Sequence, residues 1–149
     1  MLYTLESVND MQEELGALGK KAWDEVDQLN THFKFDLDWD AIKNLEANGM
    51  WRTYCMRDPS SNKMIGFLAV VIQSLLHSKG TYHAITDCAY VEPEYRGGFS
   101  KLLSLCEQDL RDEGVKMFTF TLKSWDLRGD FLENKGFTHY ENIYQKVIK

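Results

Sequence analysis

The stretch of residues 84–105, AITDCAYVEPEYRGGFSKLLSL, constrains the fold of this chain more than any other part of the sequence. Its apolar first half predicts a buried strand over residues 84–91. That strand should end before Pro93, because proline has no amide hydrogen for a ladder bond and biases the preceding residue toward extended backbone. The spacing of the leucines then predicts an amphipathic helix from about residue 100. In open sheets, ligands bind beyond the carboxyl end of such a strand.

Two adjacent glycines, Gly97 and Gly98, stand immediately before this helix. Glycine permits a positive φ angle and lets a ligand approach the backbone closely. The first turn of a helix also has unpaired N–H groups and the positive end of the helix dipole, which together suit a phosphate. The alternative is a strand-to-helix corner in which the glycines only relieve steric crowding.

Ten strands and helices are predicted in the order β-α-α-β-β-β-α-β-α-β, from hydrophobic periodicity and from the turn residues between periodic segments. The predicted strands cover residues 2–5, 51–56, 64–76, 84–91, 117–122 and 140–147, and the predicted helices cover residues 11–29, 39–47, 100–112 and 128–134. Residues 30–38 are interpreted as a packed loop. Hairpin-connected strands followed by two crossover helices predict a mixed α/β sheet, antiparallel on one side and parallel on the other. The length of 149 residues predicts a single domain over residues 1–149.

Charge and cysteine content argue against several classes of function. The net charge of −6, from 17 basic and 23 acidic residues, disfavours non-specific nucleic-acid binding, which needs positive charge to neutralise phosphates. Cys55, Cys88 and Cys106 match neither a disulfide framework nor a zinc site, so no metal is expected. The N-terminus does not resemble a leader peptide, and the longest apolar run, residues 65–72, is too short to span a bilayer. We therefore expect a cytoplasmic protein with no membrane partner.

Three motifs make the chain similar to a known family: YVEPEYRGG before an amphipathic helix, NKGF before the last predicted strand, and IGF at residues 65–67. With these motifs in this order, the sequence resembles the GNAT superfamily of acyl-CoA-dependent N-acyltransferases over almost its whole length. In detail it looks most like small GNAT-like proteins encoded by tailed bacteriophages, which would place it in the host cytoplasm. The resemblance implies the GNAT fold and acetyl-CoA as the acyl donor, but superfamily membership does not fix a substrate.

The resemblance also implies which residues bind the donor. In the family, the main chain at the end of the central strand pairs with the pantetheine arm, and the following loop gives its N–H groups to the pyrophosphate. The first role falls to Ala89, Tyr90 and Val91, and an N–H near Val91 would polarise the thioester carbonyl. The second role falls to Arg96, Gly97, Gly98, Phe99, Ser100 and Lys101. This loop is two residues shorter than the family pattern, so it offers fewer N–H groups.

The family's strand carboxylate, which serves as the base, falls at Ile85, and isoleucine cannot titrate. Strand alternation places His83 and Asp87 on the same face as Ile85, one on each side of it. We expect Asp87 first and His83 second as the base or as the group that positions a water. The alternatives are that Asp87 is a buried pairing carboxylate and that His83 is a structural histidine.

The family's usual proton donor to the leaving thiolate is also absent. That donor is often a tyrosine four residues before the glycine of the GF pair, and here the position is Leu132. Tyr144, Tyr140 or a water would have to donate the proton instead.

These features favour an N-acyltransferase in which an amine of a small molecule or of a protein lysine attacks acetyl-CoA directly in a ternary complex. An acidic run would attract a cationic acceptor if it faces the cleft, and is otherwise a solvated face. Its members are Asp24, Glu25, Asp27, Asp36, Asp38 and Asp40. The alternative function is a catalytically inactive GNAT-like binding protein, for example a phage protein that acts on a host factor. Modification of a nucleobase is a third, less favoured, reading, and a homodimer stays open.

Overall fold

A five-stranded mixed sheet organises the chain, for which a computed structural model describes residues 1–26 and 32–149. The elements are β1 (Leu2–Glu6), α1 (Val8–Val26), α2 (Trp39–Ala47), β2 (Trp51–Arg57), β3 (Met64–Ser74), β4 (Tyr82–Val91), a 3-10 helix (Pro93–Gly98), α3 (Phe99–Asp112), β5 (Met117–Thr119) and α4 (Gly129–Asn134). The last residues of the first predicted helix, 27–29, and the start of the predicted loop, 30–31, lie outside the described residues.

The strands lie in the order β1-β2-β3-β4-β5. The first four form antiparallel pairs, as hairpin connections require, and β5 pairs with β4 in parallel after the crossover through α3. The prediction of a mixed sheet, antiparallel on one side and parallel on the other, is therefore confirmed.

The two faces of the sheet bury separate hydrophobic cores. On the first face, which we call the α1 face, the apolar side of α1 packs on alternate residues of β2 and β3 together with Trp51 and Tyr90. On the second face, the α3 face, Leu102, Leu103, Cys106 and Leu110 recur at helical spacing and pack on the opposite side of the same strands. The side chains of β2 and β3 are buried on both faces, which accounts for their nearly continuous apolar sequence.

Polar side chains fix the starts of the helices on the α1 face. Asp38 caps α2, since its carboxylate accepts a hydrogen bond from the N–H of Ala41 at 2.9 Å. Glu46, near the end of α2, accepts the N–H of Val8 at 3.0 Å and the hydroxyl of Ser7 at 2.6 Å. The carboxylate of one helix thereby holds the first turn of the other. In the described part of the chain, no helix is long and apolar enough to cross a membrane.

The C-terminal segment departs from the prediction. Residues 140–147 were expected to form a strand, yet residues 137–149 have no regular secondary structure. Tyr140, Ile143, Tyr144 and Ile148 are between 69% and 92% exposed, so the apolar residues that predicted a strand pack on nothing that would stabilise one. The fifth strand also ends at Thr119 rather than at residue 122, which leaves a ladder of only three residues at this edge of the sheet.

Of the two glycines before α3, Gly98 serves packing. Neither Gly97 nor Gly98 has a positive φ angle. Gly98 is buried, its carbonyl accepts the hydroxyl of Tyr3 at 3.2 Å, and a Cβ atom on it would lie 2.9 Å from the sulfur of Met56. A glycine at position 98 therefore relieves steric crowding at this corner.

A methyl group at Gly66 should destabilise the protein. Gly66 faces Val91 across the β3–β4 ladder, and a Cβ there would lie 2.9 Å from the Cγ2 atom of Val91 and 3.2 Å from the carbonyl oxygen of Tyr90. Because Val91 is buried and β-branched, it has little freedom to move away. We expect Gly66→Ala to lower the free energy of unfolding by about 1–3 kcal/mol, as measured by urea denaturation.

Gly97→Ala is the matched control, because a Cβ at that position has no neighbour within 4 Å. We expect its free energy of unfolding to stay within about 0.5 kcal/mol of the parent value. Equal effects of the two substitutions would contradict the tight contact at the end of β4.

Candidate active site

The parallel strands β4 and β5 separate soon after they meet. Their ladder consists of three pairs, His83 with Met117, Ala84 with Phe118 and Ile85 with Thr119. β4 then continues for six more residues to Val91 with β3 on its other side. Among residues 1–26 and 32–149, no strand pairs with this second half of β4 on the β5 side. The side of β4 that lacks a strand partner among these residues after Ile85 is called the gap.

Main-chain groups of β4 point into this gap. The N–H of Glu92 donates to the carbonyl of Ile65 on β3 at 2.9 Å. Successive residues of a strand point their N–H and C=O groups to opposite sides. Val91 and Ala89 therefore point theirs to the side of β4 on which β5 no longer pairs. In agreement, the carbonyl of Val91 accepts the Nε–H of Arg96 at 3.1 Å instead of a strand partner. This part of β4 is therefore an edge suited to an extended ligand that carries amide groups.

A β-bulge lies at the start of the free edge. Ala69 of β3 pairs with Cys88, whereas the next residue, Val70, pairs with Thr86, so Asp87 has no partner across the ladder. The extra residue shifts the alternation of side chains. Cys88 packs with the core of the α1 face, which is also the face of Ile85's ladder partner Val71, although Cys88 and Ile85 are three residues apart.

Asp87 combines exposure with partial desolvation. Its side chain is exposed to solvent, yet the surrounding protein displaces enough water to raise its pKa above the ordinary value of 3.8. A carboxylate with a raised pKa is a stronger base, which suits it to accept a proton from an amine. Asp87 is two residues after Ile85, the last β4 residue that pairs with β5, so it lies close to the point where this pairing stops.

His83 lies in the closed part of the sheet. It belongs to the first β4–β5 pair, and its Nε2 atom is 2.7 Å from the hydroxyl of Thr119. Burial lowers its pKa, an effect that the charge of Glu141 in the C-terminal segment opposes. His83 is four residues from Asp87 along the strand, or about 13 Å, so the structure does not bring the two candidate bases together.

Main-chain amides of the turn after β4 form hydrogen bonds within the turn. The N–H of Tyr95 donates to the carbonyl of Glu92 at 2.9 Å, and the N–H of Phe99 donates to the carbonyl of Arg96. α3 begins directly at the end of this 3-10 helix, without a break. Two of the amides around the expected pyrophosphate loop are thus engaged inside the turn, while Gly97 is exposed and Ser100 is half-buried.

Charged side chains tie this turn to α1. Arg96 donates to Glu25 at 2.5 Å, and its guanidinium carbon lies 5.9 Å from the centre of the Tyr90 ring. Lys21 forms an ion pair with Glu92 one turn earlier on α1. The acidic run is thus divided: Glu25 pairs with Arg96, Asp24 pairs with Lys20, Asp38 caps α2, and Asp27 lies outside the described residues.

Aromatic rings pack beneath the start of α3. The ring centre of Phe99 lies 5.8 Å from that of Phe120, which follows β5, and 6.1 Å from that of Phe131 on α4. Phe118 and Phe137 continue this cluster. Phe99 therefore occupies space between α3, the chain after β5, and α4.

The remaining expected residues lie apart from this arrangement. Lys101 is exposed on α3, and Tyr144 is 92% exposed on the C-terminal segment, where no helix or strand holds it. In the described part of the chain, no group of three histidine, cysteine, aspartate or glutamate side chains could hold a metal ion. Sequence reasoning missed the pairing of Glu25 with Arg96, because these residues are 71 positions apart and nothing local relates them.

Solved structures share the overall fold of this mixed sheet and its helices. An aminoglycoside acetyltransferase, meta-AAC0020, from an uncultured soil metagenomic sample matches with a TM-score of 0.75 and 16% identity, over 99% of this chain and 95% of that chain. A transcriptional regulator from Bacillus halodurans C-125 matches with a TM-score of 0.76 and 15% identity, over 99% and 100% of the two chains.

A ribosomal-protein-alanine N-acetyltransferase from Brucella melitensis biovar Abortus 2308 matches with a TM-score of 0.65 and 14% identity, over 100% of this chain and 99% of that chain. No family model and no curated protein sequence matches the chain. The structural likenesses establish the fold: the chain has the GNAT fold that the sequence motifs implied.

Asp87→Asn should stabilise the protein more at pH 7 than at pH 3. Because the pKa of Asp87 is raised in the folded protein, the carboxyl of the unfolded chain ionises first. Stability is therefore lost as the pH rises from the ordinary pKa of 3.8 through the raised value, and asparagine avoids this loss. Urea denaturation of both proteins at the two pH values measures the difference.

Asp58→Asn is a control for which the opposite pH dependence of stability is expected. Hydrogen bonds from Ser60 and Ser61 lower the pKa of Asp58 to about 2, so its carboxylate contributes stability that is lost as the pH falls through that value. We expect Asp58→Asn to destabilise more at pH 7 than at pH 3. An effect of Asp87→Asn that is the same at both pH values would contradict the desolvation of Asp87.

Proposed function

We propose that this chain is an N-acyltransferase that transfers an acetyl group from acetyl-CoA to a primary amine of a small molecule or a protein lysine. The observation that carries the proposal is the free edge of β4 in a GNAT fold. The pantetheine arm of CoA is an extended chain with two amide groups, and Ala89 and Val91 offer main-chain groups directed into the gap. Tyr90, whose own main chain faces β3, would hold this edge in place by packing on the α1 face.

The chemistry requires an amine, a base and a proton donor. The amine nitrogen attacks the thioester carbon directly in a ternary complex, while the N–H of Val91 stabilises the charge on the carbonyl oxygen. Asp87 accepts the proton of the amine, with His83 as the second candidate. The carbon–sulfur bond then breaks, and the thiolate takes a proton from Tyr144 or from water. For Tyr144 to act, the C-terminal segment must fold over the gap; Glu141 of that segment already lies near enough to affect the pKa of His83.

The diphosphate of the donor would bind at residues 96–101, which comprise Arg96, Gly97, Gly98, Phe99, Ser100 and Lys101. Arg96 is the cation best placed for this role, since it already lies at the end of β4. It would have to exchange Glu25 for phosphate oxygens, which are also acceptors for its guanidinium. The shortened turn supplies few free amides, so the side chains of Arg96 and Lys101 would provide much of the attraction.

The acceptor would be a cationic small molecule or a lysine side chain. A net charge of −6 attracts such amines over a distance of about a Debye length. Among the structural neighbours, meta-AAC0020 is described in complex with sisomicin, an example of a small-molecule ligand in this fold. The negative net charge of this chain and the sisomicin complex of meta-AAC0020 both support a cationic acceptor.

A second candidate function is a catalytically inactive GNAT-like binding protein, such as a phage protein acting on a host factor in the host cytoplasm. The contacts of Phe99 with Phe120 and Phe131 favour it, because they fill space between α3 and α4. The internal hydrogen bond of the Phe99 amide favours it as well. The two candidates differ in one property, which is whether acetyl-CoA binds.

Acetyl-CoA should raise the melting temperature if the first proposal holds. A donor concentration of 100 times the dissociation constant adds about 2.7 kcal/mol to the free energy of unfolding, and this corresponds to a rise of roughly 5–10 °C for a chain of this size. Differential scanning fluorimetry measures the shift. No shift at millimolar acetyl-CoA would reject the transferase and leave the binding protein.

Asp87→Asn separates catalysis from binding. We expect it to bind acetyl-CoA as the parent does and to lower turnover by about a hundredfold or more, as measured by release of the CoA thiol with a panel of amines. Asp24→Asn is the control, since Asp24 is an exposed carboxylate that pairs with Lys20. Unchanged turnover in Asp87→Asn, with a loss in His83→Ala, would transfer the role of base to His83.

A further inference from the structure

The point at which β5 leaves β4 is marked by a pair of threonines. Thr86 follows Ile85, the last β4 residue in the ladder with β5. The main-chain N–H of Thr121 still points toward β4, but it donates to the side-chain hydroxyl of Thr86 at 2.9 Å. The two threonine Oγ1 atoms are also 2.9 Å apart. Where the ladder of main-chain hydrogen bonds stops, a side-chain hydroxyl thus accepts the next amide.

The side chain of Thr86, which accepts this hydrogen bond, is buried. Thr86 is only 6% exposed and is one of two buried polar side chains in the described parts of the chain, together with Thr53. Thr121 itself is exposed, and the buried Thr86 hydroxyl gives its main-chain amide an acceptor that is not part of the β4 main chain. The bulge residue Asp87 comes next, and the free edge begins there.

We propose that Thr86 is a positioning residue for the acyl transfer: its hydroxyl fixes where β5 diverges from β4 and thereby holds the gap beside Ala89 and Val91 at its working width. This inference rests on the proposed function for its consequence in catalysis. Its structural part, the anchoring of the Thr121 amide by a side chain, stands without it. Thr86 acts through β5 and touches neither the acyl donor nor the amine.

Valine at position 86 tests the inference, because it keeps the shape of threonine and removes the acceptor. Without the hydroxyl, the Thr121 amide loses its acceptor in the protein, and the chain after β5 is no longer tied to β4 at this point. We expect the amide of Thr121 to exchange with solvent faster in Thr86→Val than in the parent. We also expect acetyl-CoA to bind about tenfold more weakly, with KM for the donor raised and kcat at saturating donor changed much less.

Two variants serve as controls. Thr86→Ser retains the hydroxyl and should bind acetyl-CoA as the parent does. Thr53→Val removes another buried hydroxyl, one that accepts the indole N–H of Trp51 at 2.8 Å on β2, and should lower stability without changing the affinity for acetyl-CoA. Affinity is measured by isothermal titration calorimetry, and amide exchange by ¹⁵N-resolved NMR on the full chain.

Each outcome decides the inference. Weaker donor binding and a faster-exchanging Thr121 amide in Thr86→Val, with both controls at the parent affinity, support it. An affinity in Thr86→Val equal to that of the parent, or an equal loss in Thr53→Val, overturns it. If the parent protein binds no acetyl-CoA, the proposed function fails; the Thr121 amide then decides alone, and unchanged protection in Thr86→Val overturns the anchoring.

Discussion

The interruption of the β4–β5 ladder is the constraint on which the rest of the structure depends. A parallel pair that stops after three residues leaves the second half of a central strand with main-chain groups that no described strand pairs with on one side. Such groups are normally satisfied by another strand, by a ligand or by water. The bulge at Asp87 and the side-chain anchor at Thr86 lie together at the point of separation, so both sides of β4 change their pairing within two residues.

The turn that follows β4 limits what the free edge can bind. Arg96 is held by the carbonyl of Val91 and by Glu25, and Lys21 holds Glu92, so α1 and the turn form one connected unit. Both ion pairs are partly exposed, and such pairs contribute little stability. Replacing the carboxylate partner of Arg96 by a phosphate group would therefore cost little free energy. The Phe99 ring is held more firmly, because it is packed among other aromatic rings.

Much of the fold was predictable from sequence because it depends on local patterns. Alternating or continuous apolar runs specified β2, β3 and β4, and the spacing of Leu102, Leu103 and Leu105 specified α3. The last strand was predicted wrongly because Tyr140 and Tyr144 have the residue types of a strand but bury nothing. In the candidate site, Asp87 was proposed from its place on the strand, whereas the bulge, the crowding at Gly98, the contact of Arg96 with Glu25 and that of Thr86 with Thr121 depend on residues far apart in the chain.

The most direct measurement is the response of the β4 amides to acetyl-CoA, followed residue by residue by NMR. If the free edge receives the acyl donor, the N–H signals of Ala89 and Val91 shift and their exchange with solvent slows. The signals of Cys88 and Tyr90, whose N–H groups face β3, then change much less. An unchanged exchange rate at Ala89 and Val91 in the presence of saturating acetyl-CoA would contradict a ligand site on this edge.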